Sequence, residues 1–332
     1  MHETGEAGLK RRTVAILVVI VLVGSVLGGV AYQLLTRPKA VSHGDFSFTV
    51  KLSGLERSYT VRVPTNYDGR TAVAMVIMLH GRGATGKGAM EDTGWAEKAD
   101  KVGFLAVFPD ATPPDPSKPA SLLENPQIWN DGSGRGHACL RNVDDVGFVN
   151  AIIDDLCSRF VVDERRIFVT GFSNGAAMTF RLAVELSKRI AAVAPVSGLF
   201  WLNVSKLDYP VPLVYIFGTD DPVIPFHGGV VRKPWGETLS DPPVSDSVMR
   251  WVRLLGCPDE PMAVHDKEGV RMAVYGPGRG GSEVVFYTIE GMGHTWPGGR
   301  SSLPERLVGK MTYKITATDV IWEFFQKHPR KL

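Results

Sequence analysis

Gly171-Phe172-Ser173-Asn174-Gly175 is the segment of this 332-residue sequence best suited to chemistry. It follows the apolar run Ile167–Thr170 and opens a helical pattern over Asn174–Arg189. A serine between two such glycines, at a strand–turn–helix junction, reads as a nucleophile elbow. Side chains at the glycines would collide with neighbouring backbone, and the turn holds the Ser173 hydroxyl clear of the sheet. A hydroxyl alone attacks poorly; it needs a base, and the base needs an orienting acid. Both follow in the chain order expected of such a site. The run Leu213–Phe217 leads into Gly218-Thr219-Asp220-Asp221-Pro222, and Glu283–Ile289 leads into a glycine-rich loop holding His294. His294 is the expected general base and Asp221 the expected acid. Asp220 is the alternative acid, otherwise a turn cap. Of the other histidines, His227 is the competitor for the base, and His80, ending a strand, is expected to shape a loop.

Attack on an acyl group places negative charge on its carbonyl oxygen. Two backbone N–H groups aimed there stabilise it, each by roughly 2.7–4 kcal/mol. One is expected from Asn174 and the other from Leu79-His80-Gly81-Arg82-Gly83, at Arg82. The plainer reading is that Gly81 and Gly83 only permit a turn. Gly86-Lys87-Gly88 lacks the arrangement of a phosphate-binding loop. The long stretch Ala111–Asn142 is rich in Pro, then Gly, and follows the apolar run Phe104–Phe108. Loops of that length are functional or disordered as a rule. Trp129 within it, and Trp296 beside His294, are candidate substrate-binding walls for an acyl or aromatic group; otherwise each packs a loop. The chemistry requires no metal and no organic cofactor.

These residues need a frame. Phe46–Val50 and Ser58–Val63 alternate apolar and polar residues around Ser53-Gly54, the pattern of an antiparallel hairpin. Continuous apolar runs follow at Val73–Leu79, Phe104–Phe108, Arg166–Thr170, Ala191–Val196, Leu213–Phe217 and Glu283–Ile289. Such runs suit strands buried on both faces. Helical patterns separate them at Trp95–Val102, Asp144–Phe160, Asn174–Arg189, Ser245–Leu255 and Thr318–Lys327. The alternation predicts an α/β fold: a mainly parallel central sheet, helices on both faces, and the antiparallel N-terminal hairpin at one edge. Reactive groups in such sheets gather at the carboxyl ends of the strands, where each motif above falls.

The N-terminus reads differently. No charge occurs from Thr13 to Thr36, and Lys10, Arg11 and Arg12 stand directly before that stretch. A helix of about 22 residues rises about 33 Å, enough to cross a membrane. The basic leader keeps the start of the chain in the cytoplasm. The expected organisation is a cytoplasmic tail at 1–12, a transmembrane signal anchor at 13–35, a linker at 36–43 and a catalytic domain at 44–332. A cleaved signal peptide is the alternative, although Gly29-Val30-Ala31 is a poor cleavage site. The domain is therefore expected outside the cytoplasm. Its three cysteines, Cys139, Cys157 and Cys257, leave at least one without an intramolecular partner and fit no metal spacing. Hydrophobic residues make up 44% and charged residues 22%, with a net charge of +2, an ordinary globular balance. Five of the 37 basic and two of the 35 acidic residues fall in the first 39 positions, so the rest is nearly neutral and nothing points to nucleic acid.

Taken together, Leu79-His80-Gly81, Ile128-Trp129-Asn130, Val143-Asp144-Asp145-Val146-Gly147-Phe148, the serine elbow, Gly218-Thr219 with Asp221-Pro222, and Gly293-His294-Thr295-Trp296-Pro297-Gly298-Gly299 carry a resemblance. In this order, over roughly residues 44–328, they resemble the extracellular family of polyhydroxybutyrate-depolymerase-like and feruloyl or acetylxylan esterases. The resemblance implies an α/β-hydrolase fold, Ser173, Asp221 and His294 as a catalytic triad, and hydrolysis of hydroxyalkanoate, feruloyl or acetyl esters. Relatives often pair cysteines near the tryptophan loop and before the last strand. Here only Cys139 stands in the first region, and Pro277 stands where a partner for Cys257 is sought. A separate polymer-binding domain is not expected. A peptidase or acyltransferase on the same scaffold is an alternative; an inactive membrane-tethered binding protein is another, which intact Ser173, Asp221 and His294 oppose.

Overall fold

The computed structural model describes residues 42–301 and 303–331. The expected tail, the anchor at 13–35 and most of the linker lie outside the described residues. Among the described residues no helix is long and apolar enough to cross a membrane.

The strands are β1 Gly44–Leu52, β2 Leu55–Val63, β3 Val73–Leu79, β4 Leu105–Pro109, β5 Val162–Phe172, β6 Ala192–Val196, β7 Leu213–Gly218, β8 Gly229–Arg232, β9 Thr238–Asp241, β10 Ala263–Lys267, β11 Val270–Tyr275 and β12 Val284–Ile289. The helices are α1 Gly86–Thr93, α2 Trp95–Val102, α3 Gly136–Leu140, α4 Asp145–Arg159, α5 Asn174–Glu185, α6 Val244–Leu255, α7 Glu305–Val308 and α8 Ala317–Lys327. One sheet runs β1-β2-β4-β3-β5-β6-β7-β12-β11-β10. From β4 to β12 every neighbour is parallel, and the pairs outside that block are antiparallel.

The expected N-terminal hairpin forms the β1 edge. Its two-residue turn puts Ser53 at φ 49° and Gly54 at φ 81°, and two positive φ values match the twist of a tight hairpin. The opposite edge was not expected. There β10 and β11 join through Glu268 and Gly269, also both at positive φ, and the charges of His265–Glu268 mask the alternation in sequence. The small sheet of β8 with β9 was likewise unforeseen, as was α1, whose N-terminus is capped by the Thr85 hydroxyl accepting from Gly88 N–H. Helix α5 ends at Glu185 rather than Arg189.

Aromatic packing fills both faces of the sheet. On one, Phe168 of β5 stacks on Phe325 of α8 at 4.5 Å, and Trp322 of α8 covers Phe104 at 4.4 Å. On the other, Tyr215 of β7 meets Phe180 of α5, which also packs on Trp251 of α6. Phe168 and Tyr215 stand on opposite faces by register, since Phe168 pairs with Ala192 and Leu213 pairs with Val193. Each such ring contributes about 1.5–3 kcal/mol by leaving water. The buried strands are thereby clamped from both sides, and their carboxyl ends are fixed in position.

Candidate active site

Ser173 lies between β5 and α5 at φ 56° and ψ −118°. A non-glycine residue there carries strain of order 1–3 kcal/mol. Steric demand on the flanking glycines is severe. A Cβ on Gly171 would stand 2.3 Å from the Gly175 carbonyl oxygen, and one on Gly175 would stand 2.3 Å from that of Leu79. The elbow therefore requires glycine at both positions.

Three strand ends bring Ser173, His294 and Asp221 together. Ser173 Oγ lies 2.8 Å from His294 Nε2, and His294 Nδ1 lies 2.7 Å from Asp221 Oδ2. With Nδ1–H donating to the carboxylate, Nε2 is free to accept from the hydroxyl. The other oxygen of Asp221 accepts from the N–H groups of Val223 and Ile224, both at 2.8 Å, so the carboxylate is fully engaged. Asp220 is the neighbour that turns away: it accepts from the Thr219 hydroxyl at 2.7 Å. His227 is exposed and packs on Phe226.

The loop after β3 is held by a buried histidine. His80 donates from Nδ1 to the Gly81 carbonyl at 2.7 Å and accepts at Nε2 from Ala111 N–H at 3.0 Å. Burial pushes its pKa down to about 4, so the ring is neutral. The loop lies against the nucleophile: a Cβ on Gly81 would stand 3.3 Å from that of Ser173. Among the described residues the N–H groups of Arg82 and Asn174 donate to no acceptor.

Of the two roles open to Trp129, fastening a loop is the one its surroundings fit. Its indole is wholly buried and donates to the His80 carbonyl at 2.9 Å, so it forms no wall of a substrate cavity. Its backbone N–H donates to Asn174 Oδ1 at 2.7 Å, while Asn174 Nδ2 donates to Asp131 Oδ2 at 2.7 Å. Asn130 N–H next donates to Asp145 Oδ2 at 2.6 Å, and Asp145 Oδ1 pairs with Arg57 at 2.7 Å. None of Asp131, Asp145 or Arg57 stood out as a site residue in the sequence. Asp145 does lie within the Val143–Phe148 motif, which was the one available signal.

Two cavities meet at Ser173, and Arg82, Val223 and Trp235 line both. The larger, about 250 Å³, is mostly apolar, with Leu122, Leu123, Phe172, Trp296 and Leu307 in its wall. Trp296 lies in that wall, with Nε1 donating to Thr318 Oγ1 at 3.2 Å. The smaller, about 100 Å³, has the charged Asp131, Arg135, Lys233, Glu237 and Asp241 in its wall. The turn between β8 and β9 divides them. Lys233 donates to the Val223 carbonyl at 2.7 Å and also contacts Asp241, which pairs with Arg135 at 2.7 Å. The turn residues Pro234-Trp235-Gly236 are the one signal in sequence that could have found this hairpin.

Among the described residues no group of three His, Cys, Asp or Glu side chains is placed to hold a metal. All three cysteines are free thiols, so neither disulfide of the resemblance is present.

Residues 65–249 match the phospholipase/carboxylesterase family. The sequence is 27% identical over 249 residues to feruloyl esterase B of Piromyces equi, covering 72% of this chain and 42% of that protein. It is 25% identical over 299 residues to NocK of Nocardia uniformis subsp. tsuyamanensis, covering 83% and 80% respectively. Thus the chain spans less than half the length of the feruloyl esterase. The structure superposes on an acetyl xylan esterase from Aspergillus awamori with a TM-score of 0.53 at 17% identity, over 75% of this chain and 94% of that one, a likeness of fold.

Proposed function

The chain belongs to the phospholipase/carboxylesterase family, and from that premise we propose that it is a serine carboxylic-ester hydrolase acting through an acyl-enzyme. The observation that carries this reading is the continuous hydrogen-bonded series Ser173–His294–Asp221. His294 Nε2 takes the Ser173 proton as Oγ adds to the ester carbonyl. Asp221 stabilises the imidazolium that forms. The N–H groups of Arg82 and Asn174 receive the oxyanion. On collapse the imidazolium gives its proton to the departing alkoxide, and an alcohol leaves. Water then enters, loses a proton to His294 and adds to the acyl carbon; the acid departs and Ser173 is restored.

The apolar cavity, with Trp296 in its wall, suits an acyl or aromatic group. The names of the relatives support feruloyl or acetyl esters as substrates, and the sequence resemblance adds hydroxyalkanoate esters to that range. An extracytoplasmic location, with residues 13–35 as membrane anchor or cleaved leader, is supported by the basic residues before that uncharged stretch. Extraction with detergent rather than salt is the expected behaviour of the anchored form.

A fluorophosphonate probe should label the protein at Ser173, and Ser173→Ala should abolish labelling and lower kcat on 4-nitrophenyl butyrate by about 10⁴-fold or more. An unlabelled wild type without ester turnover sinks the reading.

A further inference from the structure

The side chain of Arg82 has surroundings unlike those of the other cations at the site. The two buried cations around the site each have an acid: Arg57 pairs with Asp145, and Lys233 with Asp241. Arg82 pairs with none among the described residues, and no N–H of its guanidinium finds an acceptor. Its Nε is buried and unsatisfied. The acid whose charge it feels, Glu237, is turned instead to the Trp235 indole N–H at 2.7 Å. Trp235 also lies over the guanidinium, 4.7 Å from ring centre to Cζ.

This is a costly arrangement without a ligand. The buried Nε of Arg82 loses hydration without replacement, and Glu237, whose charge it feels, makes no direct pair with it. The stacked indole fixes the plane of the fork, so that the N–H edges rather than the face are left for a ligand. Arg82 lines both cavities together with Ser173, and a carboxylate is the group whose geometry matches the fork. We propose that the Arg82 side chain binds a carboxylate carried by the substrate, and that preferred substrates are esters with a free acid a few bonds from the scissile carbonyl. Half-esters of dicarboxylic acids and the acid ends of short oligoesters belong to this class. The inference rests on the esterase reading and narrows its substrate.

The test compares mono-(4-nitrophenyl) glutarate with neutral 4-nitrophenyl butyrate, using wild type, Arg82→Gln and Arg82→Lys. All three keep the backbone N–H, so the ratio of kcat/KM values isolates the side chain. Wild type should favour the anionic ester. Arg82→Gln should lower the anionic-to-neutral ratio by about tenfold or more, the worth of one charge-assisted contact, with Arg82→Lys between. A ratio unmoved by Arg82→Gln overturns the proposal and leaves the esterase reading standing. Absence of turnover of both esters by wild type removes both. Should Arg82→Gln not fold, glutarate and glutaramide are compared as inhibitors of wild-type butyrate ester hydrolysis. Competitive inhibition several-fold stronger by glutarate supports the proposal, and equal or absent inhibition overturns it.

Discussion

Behind Ser173 and in front of it the site is held in different ways. Behind, Trp129 is hydrogen-bonded to Asn174 and His80, and its chain neighbour Asn130 donates to Asp145, which pairs with Arg57 of β2, within the central sheet. In front, the β8–β9 hairpin pairs with no strand of that sheet and is fastened by Lys233, Asp241 and Arg135. Both regions use a buried ion pair. The first is tied to a strand of the central sheet, whereas the second is held by side chains alone and is expected to open first. The same interaction type therefore secures the fold in one place and the shape of a cavity in the other.

The largest effect expected is on the series that joins the two regions at the nucleophile. Asp221→Asn should lower kcat by about 10⁴-fold through the wrong imidazole tautomer. Asp220→Asn, an exposed change, should stay within about twofold; equal losses would dissolve the distinction between the neighbours. Next, Asp145→Ala should strand Arg57 and cost about 3–5 kcal/mol in urea unfolding. A loss under 1 kcal/mol would remove the back wall from the core.

A pH series sharpens the same contrast. His80 titrates at about 4 in the fold against an ordinary 6.5. Between those values the unfolded chain binds a proton that the folded chain refuses. Stability should thus fall as pH drops from about 6.5 towards 4, by up to about 3 kcal/mol from this group. His80→Gln should flatten that slope; an unchanged slope assigns it to other groups. The smallest effect is in front: Lys233→Met should cost global unfolding only about 1 kcal/mol. Amide exchange at 229–241 should nonetheless rise clearly. Loss of global stability equal to that of Asp145→Ala would erase the comparison.

How much was legible in sequence follows the same division. The elbow was visible because Gly171, Ser173 and Gly175 answer to a local steric demand. The parallel strands were visible because burial on both faces leaves them uniformly apolar. His294 followed from chain order, whereas Asp220 and Asp221 are distinguished only by the direction each side chain takes. Trp129 has two readings in sequence because an indole can line a cavity or fasten a loop, and its partner, the His80 carbonyl, lies 49 residues away. The β8–β9 hairpin was hidden since its exposed four-residue strands carry no apolar stripe. The anionic role argued for Arg82 was invisible, because only packing reveals that a cation lacks an acid.

One feature of the elbow reaches beyond the reaction. Ser173 is held at φ 56°, a conformation that glycine adopts freely and serine does not. Ser173→Gly should relieve part of that strain, on the order of 1 kcal/mol. A laboratory search for heat-resistant variants, scored on folding alone, would therefore be drawn to the very position proposed as the nucleophile. Selection for durability in this scaffold has to be coupled to a readout of turnover.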